Sequence, residues 1–357
     1  MKSVFRRIVE ENGIDVLEDG QRFIAILSDY APNMKKERKF ISDSFSIGVN
    51  KIILKANDGT AGEKRVALLK ARYLIKEKLG LATEHVDMVI SCFAAILASK
   101  TFGQNIAVDI GGSGVRTGII SANGVDEIRW ESVGSLEELT DAIKQRSPSV
   151  DGIALSVPGF IHGESGYVSL NTVAPYLQGK LKENIESVFP HAEVFVVNDG
   201  EAHALALLNS QKIELGAINF SLGTSVGFGA LNEMGQVVRS LSGENWDVGD
   251  LQVDAQVSMP YAWYALGQNG LKELLRTYGD RGYEVYGSCL GRFASQLAVI
   301  FRPKTIGFSG GITVNNWSRI EKTVNNEFTE PVNSSVRLIA QKDNEAALAG
   351  LSTFFRY

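Results

Sequence analysis

The chain has 357 residues and a formal charge of −5, with 44% hydrophobic and 22% charged residues. That composition supplies more than one core, so two or three domains are expected and wholesale disorder is excluded. No apolar run reaches the roughly 18 residues of a membrane helix, and no secretory signal peptide is expected behind Lys2, Arg6 and Arg7. Two cysteines, Cys92 and Cys289, cannot build a disulfide framework or a four-thiolate zinc site, and the four histidines lack ligand spacing. The expectation is a cytoplasmic protein without structural zinc.

Basic residues outnumber acidic ones 17 to 13 over residues 1–100 and are outnumbered 19 to 28 over the rest, as in two units with different surfaces. The first hundred residues read as helical. Phe5, Ile8 and Val9 recur at helical spacing, as do Phe23, Ile24 and Leu27. Residues 63–79 set Val66, Leu69, Leu74 and Ile75 among lysines and arginines and stop at Gly80. Residues 86–97 are apolar on nearly every side, as a buried helix is. Lys35, Lys36, Arg38 and Lys39 read as a solvated helix face, so no nucleic-acid partner is expected.

From residue 105 the texture changes. Residues 105–109 and 115–120 are strands joined through glycines, a third strand runs over 126–131, and 136–144 is a helix. Residues 152–157 form a buried strand ending at Pro158 and Gly159, and 194–197 another, followed by a helix over 201–208. Strands at 217–222 and 226–231 flank a second glycine turn. Residues 241–283 hold helical pieces near Tyr261 and Leu271; a helix over 286–301, a strand over 304–308 and a helix over 345–354 follow. A strand, glycine turn and strand thus occur twice, each followed by strands and helices, which predicts α/β layers around mixed sheets.

Glycine turns between strands let backbone amides approach phosphate oxygens closely. Asp109, Gly111, Gly112, Ser113 and Gly114 form one candidate; Gly223, Thr224, Ser225 and Gly227 form the other. Asp109, at a strand end, suits a hydrated Mg²⁺. The alternative for either turn is an ordinary hairpin. Asp199 follows an apolar strand and precedes a helix, so it either faces a cleft as a proton acceptor or caps the helix. Residues 307–311 match the G-x-S-x-G nucleophile pattern, but no histidine follows His203, which rejects that reading.

Taken together, five segments in order resemble the actin/hexokinase ATPase superfamily, and within it the ROK family of sugar kinases and repressors, over residues 105–355. The first is 107–114, similar to the first phosphate loop. The second is 156–160 with Gly166 and Asn171, similar to the family's Pro-Gly turn and substrate-side asparagine. The third, 197–202, carries Asn198 and Asp199. The fourth, 221–229, is similar to the second phosphate loop, and the fifth, 302–312, with Gly310 and Gly311, to the adenosine motif. The resemblance implies a two-lobed actin-like, ribonuclease H-like α/β fold, with lobes over 101–200 and 201–357 behind a small helical domain at 1–100. It implies ATP and Mg²⁺ as cofactors and a homodimer. The implied reaction is phosphorylation of a hexose or N-acyl hexosamine hydroxyl, with Asp199 as general base. Pro158, Gly159, Asn171 and Asn198 fall on the implied sugar side. A sugar- or nucleotide-sensing regulator on the same fold is the alternative.

Three departures stand out. The family's cysteine-rich zinc motif is missing. Asp247 stands at the sugar-binding glutamate, with Glu244 a second candidate, and Asp250 replaces the zinc-ligand histidine. Ser225 replaces a glycine of the second loop. Residues 1–100 lack the compact helix-turn-helix and β-wing of ROK repressors and read as a helical interaction or regulatory module with a protein partner.

Overall fold

The computed structural model describes residues 1–57, 59, 61–97, 104–112, 114–121, 124–147, 149–209, 213–331 and 335–355, with the side chains of 61, 62 and 65 excepted. Contacts divide the chain into two compact units, Met1–Phe102 and Gly103–Arg356.

The first unit is helical: α1 (Lys2–Asn12), α2 (Gly20–Tyr30), α3 (Lys35–Ser46), α4 (Val49–Ala56), α5 (Ala61–Leu79) and α6 (Thr83–Leu97). Helix α6 buries nine residues, from Val86 to Leu97, as its all-round apolar sequence requires. Phe5 meets Phe23 at 4.7 Å and Phe93 at 5.3 Å between ring centroids, so α1, α2 and α6 share one aromatic centre. Asp19 caps α2 by accepting the Arg22 N–H.

The second unit runs β1 (Gln104–Gly111), β2 (Gly114–Ser121), β3 (Gly124–Glu131), α7 (Leu136–Lys144), β4 (Val150–Val157), β5 (Phe160–His162), β6 (Tyr167–Leu170), α8 (Leu181–Val188), β7 (Glu193–Asn198) and α9 (Asp199–Ala206). It continues through β8 (Ala217–Leu222), β9 (Val226–Leu231), α10 (Ala262–Ala265), α11 (Gln268–Tyr278), α12 (Arg281–Phe301), β10 (Thr305–Ser309), α13 (Gly310–Glu327), β11 (Arg337–Ala340) and α14 (Ala346–Leu351). Strands order as β3-β2-β1-β4-β7 in one sheet and β11-β10-β8-β9 in the other. In each sheet the hairpin is antiparallel and the later strands add in parallel, β4 on β1 and β10 on β8. The architectural repeat is therefore real, with β1, β2, β4 and β7 answering β8, β9, β10 and β11. This is the two-lobed actin-like ATPase fold, ribonuclease H-like in each sheet.

Period-two alternation decides which way β1 faces. Ile106, Val108 and Ile110 enter a core with Leu139 of α7 and Ile185 of α8. Ala107 turns to the opposite face, among Ala202 of α9 and Ala347 and Leu351 of α14. Asp109 alternates onto that second face. The second sheet packs Phe220 and Phe308 on Tyr286 and Phe293 of α12 and Trp317 of α13.

Five elements of the second unit escape the sequence reading. The β5–β6 hairpin has strands of three and four residues, too short for a period to register. Helices α8 and α13 and strand β11 are the others; α13 opens on Gly310 and Gly311, which read as loop. Helix α9 starts at Asp199 rather than 201, which matters for the site.

Candidate active site

Parallel pairing lines up the carboxyl ends of β1, β4 and β7. Asp109 on β1 faces Ser156 on β4 in register, and Arg116 on β2. The Ser156 hydroxyl donates to Asp109 Oδ1 at 2.8 Å. Arg116 donates to Oδ2 from Nε at 3.1 Å and from Nη2, and its Nη1 donates to the Asn344 carbonyl at 2.7 Å. Both Asp109 oxygens thus already accept donors. The residue is 8% exposed.

Strand β7 ends at Asn198, and this residue is the helix cap. Its Oδ1 accepts the Gly200 N–H at 2.8 Å, while Glu201 Oε2 accepts the Asn198 N–H at 3.0 Å, a reciprocal capping box. The reading of Asp199 as the N-cap is therefore corrected: Asp199 is the first helical residue. Burial pushes its pKa up to about 6, and the Asp109 charge adds to the rise. Asn198 Nδ2 donates to the Gly159 carbonyl at 2.9 Å, joining the end of β7 to the Pro158–Gly159 turn. Gly159 has φ +102°, and a Cβ there would lie 2.2 Å from the Leu170 carbonyl. Asn171 is buried; it donates to the Pro158 carbonyl at 2.8 Å and accepts the Val173 and Ala174 N–H groups. Pro158 is buried as well.

The second loop forms at the end of β8. Gly223 donates to the Ser225 carbonyl at 3.0 Å and accepts the Gln268 N–H at 2.9 Å, which seats the N-terminus of α11 on the loop. Thr224 and Ser225 are exposed. Gly310, with φ +84°, presses on Leu222, where a Cβ would lie 2.6 Å from the carbonyl. Gly227 lies against Gly200, its would-be Cβ 3.4 Å from the Gly200 Cα.

Three glycines have no such reason to be glycine. Among the described residues, a Cβ at Gly111 or Gly223 would meet nothing nearer than 3.9 Å, and at Gly311 nothing within 4 Å. None of the three has φ in the left-handed range. Neither packing nor backbone conformation demands them. Bare backbone at these positions leaves room for the close approach of a ligand. These faces suit the phosphate groups of a nucleotide. Asp109 suits Mg²⁺ through the metal's waters, since its own oxygens are taken.

The structure thus brings Asp109, Pro158, Gly159, Asn198 and Asp199 together at one sheet, and Gly223, Thr224, Ser225, Gly310 and Gly311 at the other. Gly112 and Gly114 flank the first turn; Ser113 lies outside the described residues. Glu244 bridges to His162 of β5 and accepts the Ser169 hydroxyl of β6 at 2.9 Å. Asp247 is exposed and accepts the Gly249 N–H at 2.8 Å. Among the described residues no group of three or more His, Cys, Asp or Glu side chains is placed to hold a metal. No helix among them is long and apolar enough to cross a membrane.

Sequence reading missed Arg116, Ser156, Glu201 and Arg239. Arg116 was within reach, because a turn closed by Gly111 opposite Gly114 pairs 109 with 116. Glu201 stands three residues after Asn198, at capping-box spacing. Arg239 carried no local signal.

No protein-family model and no curated protein matches the chain. Solved structures do, and the likeness is one of fold, to sugar kinases and a regulator of the ROK type. A ROK glucokinase from Streptomyces griseus, in complex with glucose and AMPPNP, is 18% identical with a TM-score of 0.59, over 71% of this chain and 99% of its own. A ROK hexokinase from Thermus thermophilus is 18% identical with a TM-score of 0.56, over 70% and 96%. A ROK transcriptional regulator, a homologue of the E. coli MLC protein, is 18% identical with a TM-score of 0.61, over 80% and 92%. The chain has the ROK fold.

Proposed function

We propose that the protein transfers the γ-phosphoryl group of ATP to a hydroxyl of a hexose or N-acyl hexosamine. One observation carries this reading. A half-buried carboxylate of raised proton affinity, Asp199, stands just past a strand end in a unit whose glycine backbone is left bare at 111, 223 and 311. Asp199 orients the attacking hydroxyl and accepts its proton as the oxygen bonds to phosphorus and ADP leaves. The bare faces at 111, 223 and 311 receive the phosphates and adenosine side of ATP. Pro158, Gly159, Asn171 and Asn198, with Glu244 or Asp247, shape the sugar side. When bound, Mg²⁺ would supply charge neutralisation on the phosphoryl oxygens, and Asp109 would hold it. A glucokinase of similar fold is in complex with glucose and AMPPNP, which supports reading this fold as one that can take a sugar and a nucleotide together. The lobes would meet near residue 200, and residues 1–100 would serve a protein partner. A cytoplasmic homodimer goes with the same reading.

A panel of hexoses and N-acyl hexosamines, assayed for ATP-dependent phosphate-ester formation, tests it. Turnover on one of them that is lost in Asp199→Asn supports the proposal, and no turnover on any sugar sinks it. A sensing regulator is the second reading. The regulator likeness covers 80% of the chain, and the Asp247 carboxylate is folded onto its own backbone. Sugar or ATP binding without transfer would favour it.

A further inference from the structure

Glu201 is 1% exposed. A buried carboxylate is costly unless paired and fully hydrogen-bonded. Arg239 pairs with it in two-point fashion, Nε to Oε1 at 2.8 Å and Nη2 to Oε2 at 2.8 Å, and Oε2 also accepts the Asn198 N–H at 3.0 Å. A capping box needs no charge, since glutamine closes one equally well. The ionised pair therefore does more than cap.

The guanidinium lies over Gly163, in the turn between β5 and β6, where a Cβ would fall 1.6 Å from Nη1. That turn is tied to the segment after β9 by the Gly163 N–H donating to the Gly243 carbonyl at 3.0 Å. The segment carrying Arg239 continues from β9, with the Val238 N–H donating to the Ala230 carbonyl at 2.8 Å. Two separate stretches, the β5–β6 turn and the segment after β9, thus meet at Arg239, and through Glu201 and one peptide N–H they bear on the residue immediately before Asp199. Asn198 is held on its other side by Gly159 and Gly200.

We infer that Glu201 and Arg239 are positioning residues that hold Asp199 for proton transfer, with Gly163 kept bare so that the guanidinium can lie flat. The inference rests on the kinase reading for its catalytic consequence, and on geometry alone for the grip itself.

The test uses the full chain with Gly163→Ala, Arg239→Met, Arg239→Lys and Glu201→Gln. Alanine at 163 touches neither partner's chemistry, and its backbone conformation is one that any residue adopts. Two readouts are taken. Hydrogen exchange at the 198–200 amides should quicken in Gly163→Ala and Arg239→Met, while β8 and β9 keep their protection as a control on folding. On a confirmed sugar, kcat should fall about 10²-fold in both, as small misplacements of a reacting group do, with the ATP KM within about two-fold. Arg239→Lys keeps the charge but not the two-point grip, so it should stay near Arg239→Met. Glu201→Gln, which retains an acceptor, should fall between. Unchanged exchange at 198–200, unchanged kcat, or full rescue by lysine overturns the inference. If the wild-type protein phosphorylates no sugar, the kinase reading fails by itself, and exchange alone decides the grip.

Discussion

Replacing Asp199 by asparagine should make the fold more stable and the catalyst worse, for one electrostatic reason. Burial and the Asp109 charge lift the Asp199 pKa from its ordinary 3.8 to about 6. The native state therefore holds a proton, between those two values, that the unfolded chain has lost. Stability falls as pH rises through that window, and the full cost of the ionised carboxylate is present above pH 6. A rise of about 2 in pKa corresponds to about 3 kcal/mol at most, at 1.36 kcal/mol for each. Partial exposure of the carboxylate draws the expected gain for Asp199→Asn down, to about 1–3 kcal/mol at pH 7.5. Near pH 4 the gain should vanish. All four tryptophans, Trp130, Trp246, Trp263 and Trp317, lie in the second unit, so urea unfolding followed by tryptophan fluorescence reads that unit alone. On a phosphorylated sugar the same variant should lose at least about 10² in kcat. An equal stability offset at both pH values, or none at pH 7.5, would refute the buried-charge argument.

The bare glycines give the complementary test. Gly223→Ala and Gly311→Ala should leave the melting temperature unchanged or slightly raised, since alanine fits the space and restricts the unfolded chain by about 0.4–1 kcal/mol, yet calorimetry should show ATP affinity down at least ten-fold. Retained affinity would return both to ordinary loop positions. Arg116→Met removes the partner of a buried carboxylate and should cost about 1–3 kcal/mol in urea unfolding at pH 7.5; an unchanged midpoint would show that the pair adds nothing to stability. Residues 103–357 alone, which carry every glycine proposed to face the nucleotide, should bind ATP in calorimetry with an affinity close to that of the full chain; complete loss would give the helical unit a share of the site.

Much of the fold was open to reading because its signals are local. Glycine turns closing β1–β2 and β8–β9 announce themselves in sequence, and so does the apolar girth of α6. Asp109 and Asp199 were legible because each ends an apolar run. What stayed hidden is cooperative over distance. Arg239 meets Glu201 across 38 positions, and neither residue has a neighbour in sequence that points to the other. Asp199 was ambiguous between cap and base because both roles put a carboxylate at a strand-to-helix junction. Only the position of Asn198, one residue earlier with its side chain already on Gly200, separates them. The acids proposed for the sugar side are the hardest case. Glu244 and Asp247 sit in a stretch without regular periodicity, and tertiary contacts alone decide where each carboxylate goes.

Helix α9 has a mechanical consequence of its own. On one side a Cβ at Gly200 would lie 2.3 Å from the Phe228 nitrogen, and one at Gly229 would lie 2.5 Å from the Gly200 carbonyl. On the other side a Cβ at Gly350 would lie 1.9 Å from the Ala202 carbonyl. Backbone is pressed on backbone along both flanks. Side chains absorb a sliding neighbour by changing rotamer, but main chain in direct contact has no such freedom. The helix therefore has little room to slide past β9 or past α14, and Asp199, its first residue, keeps its place with it.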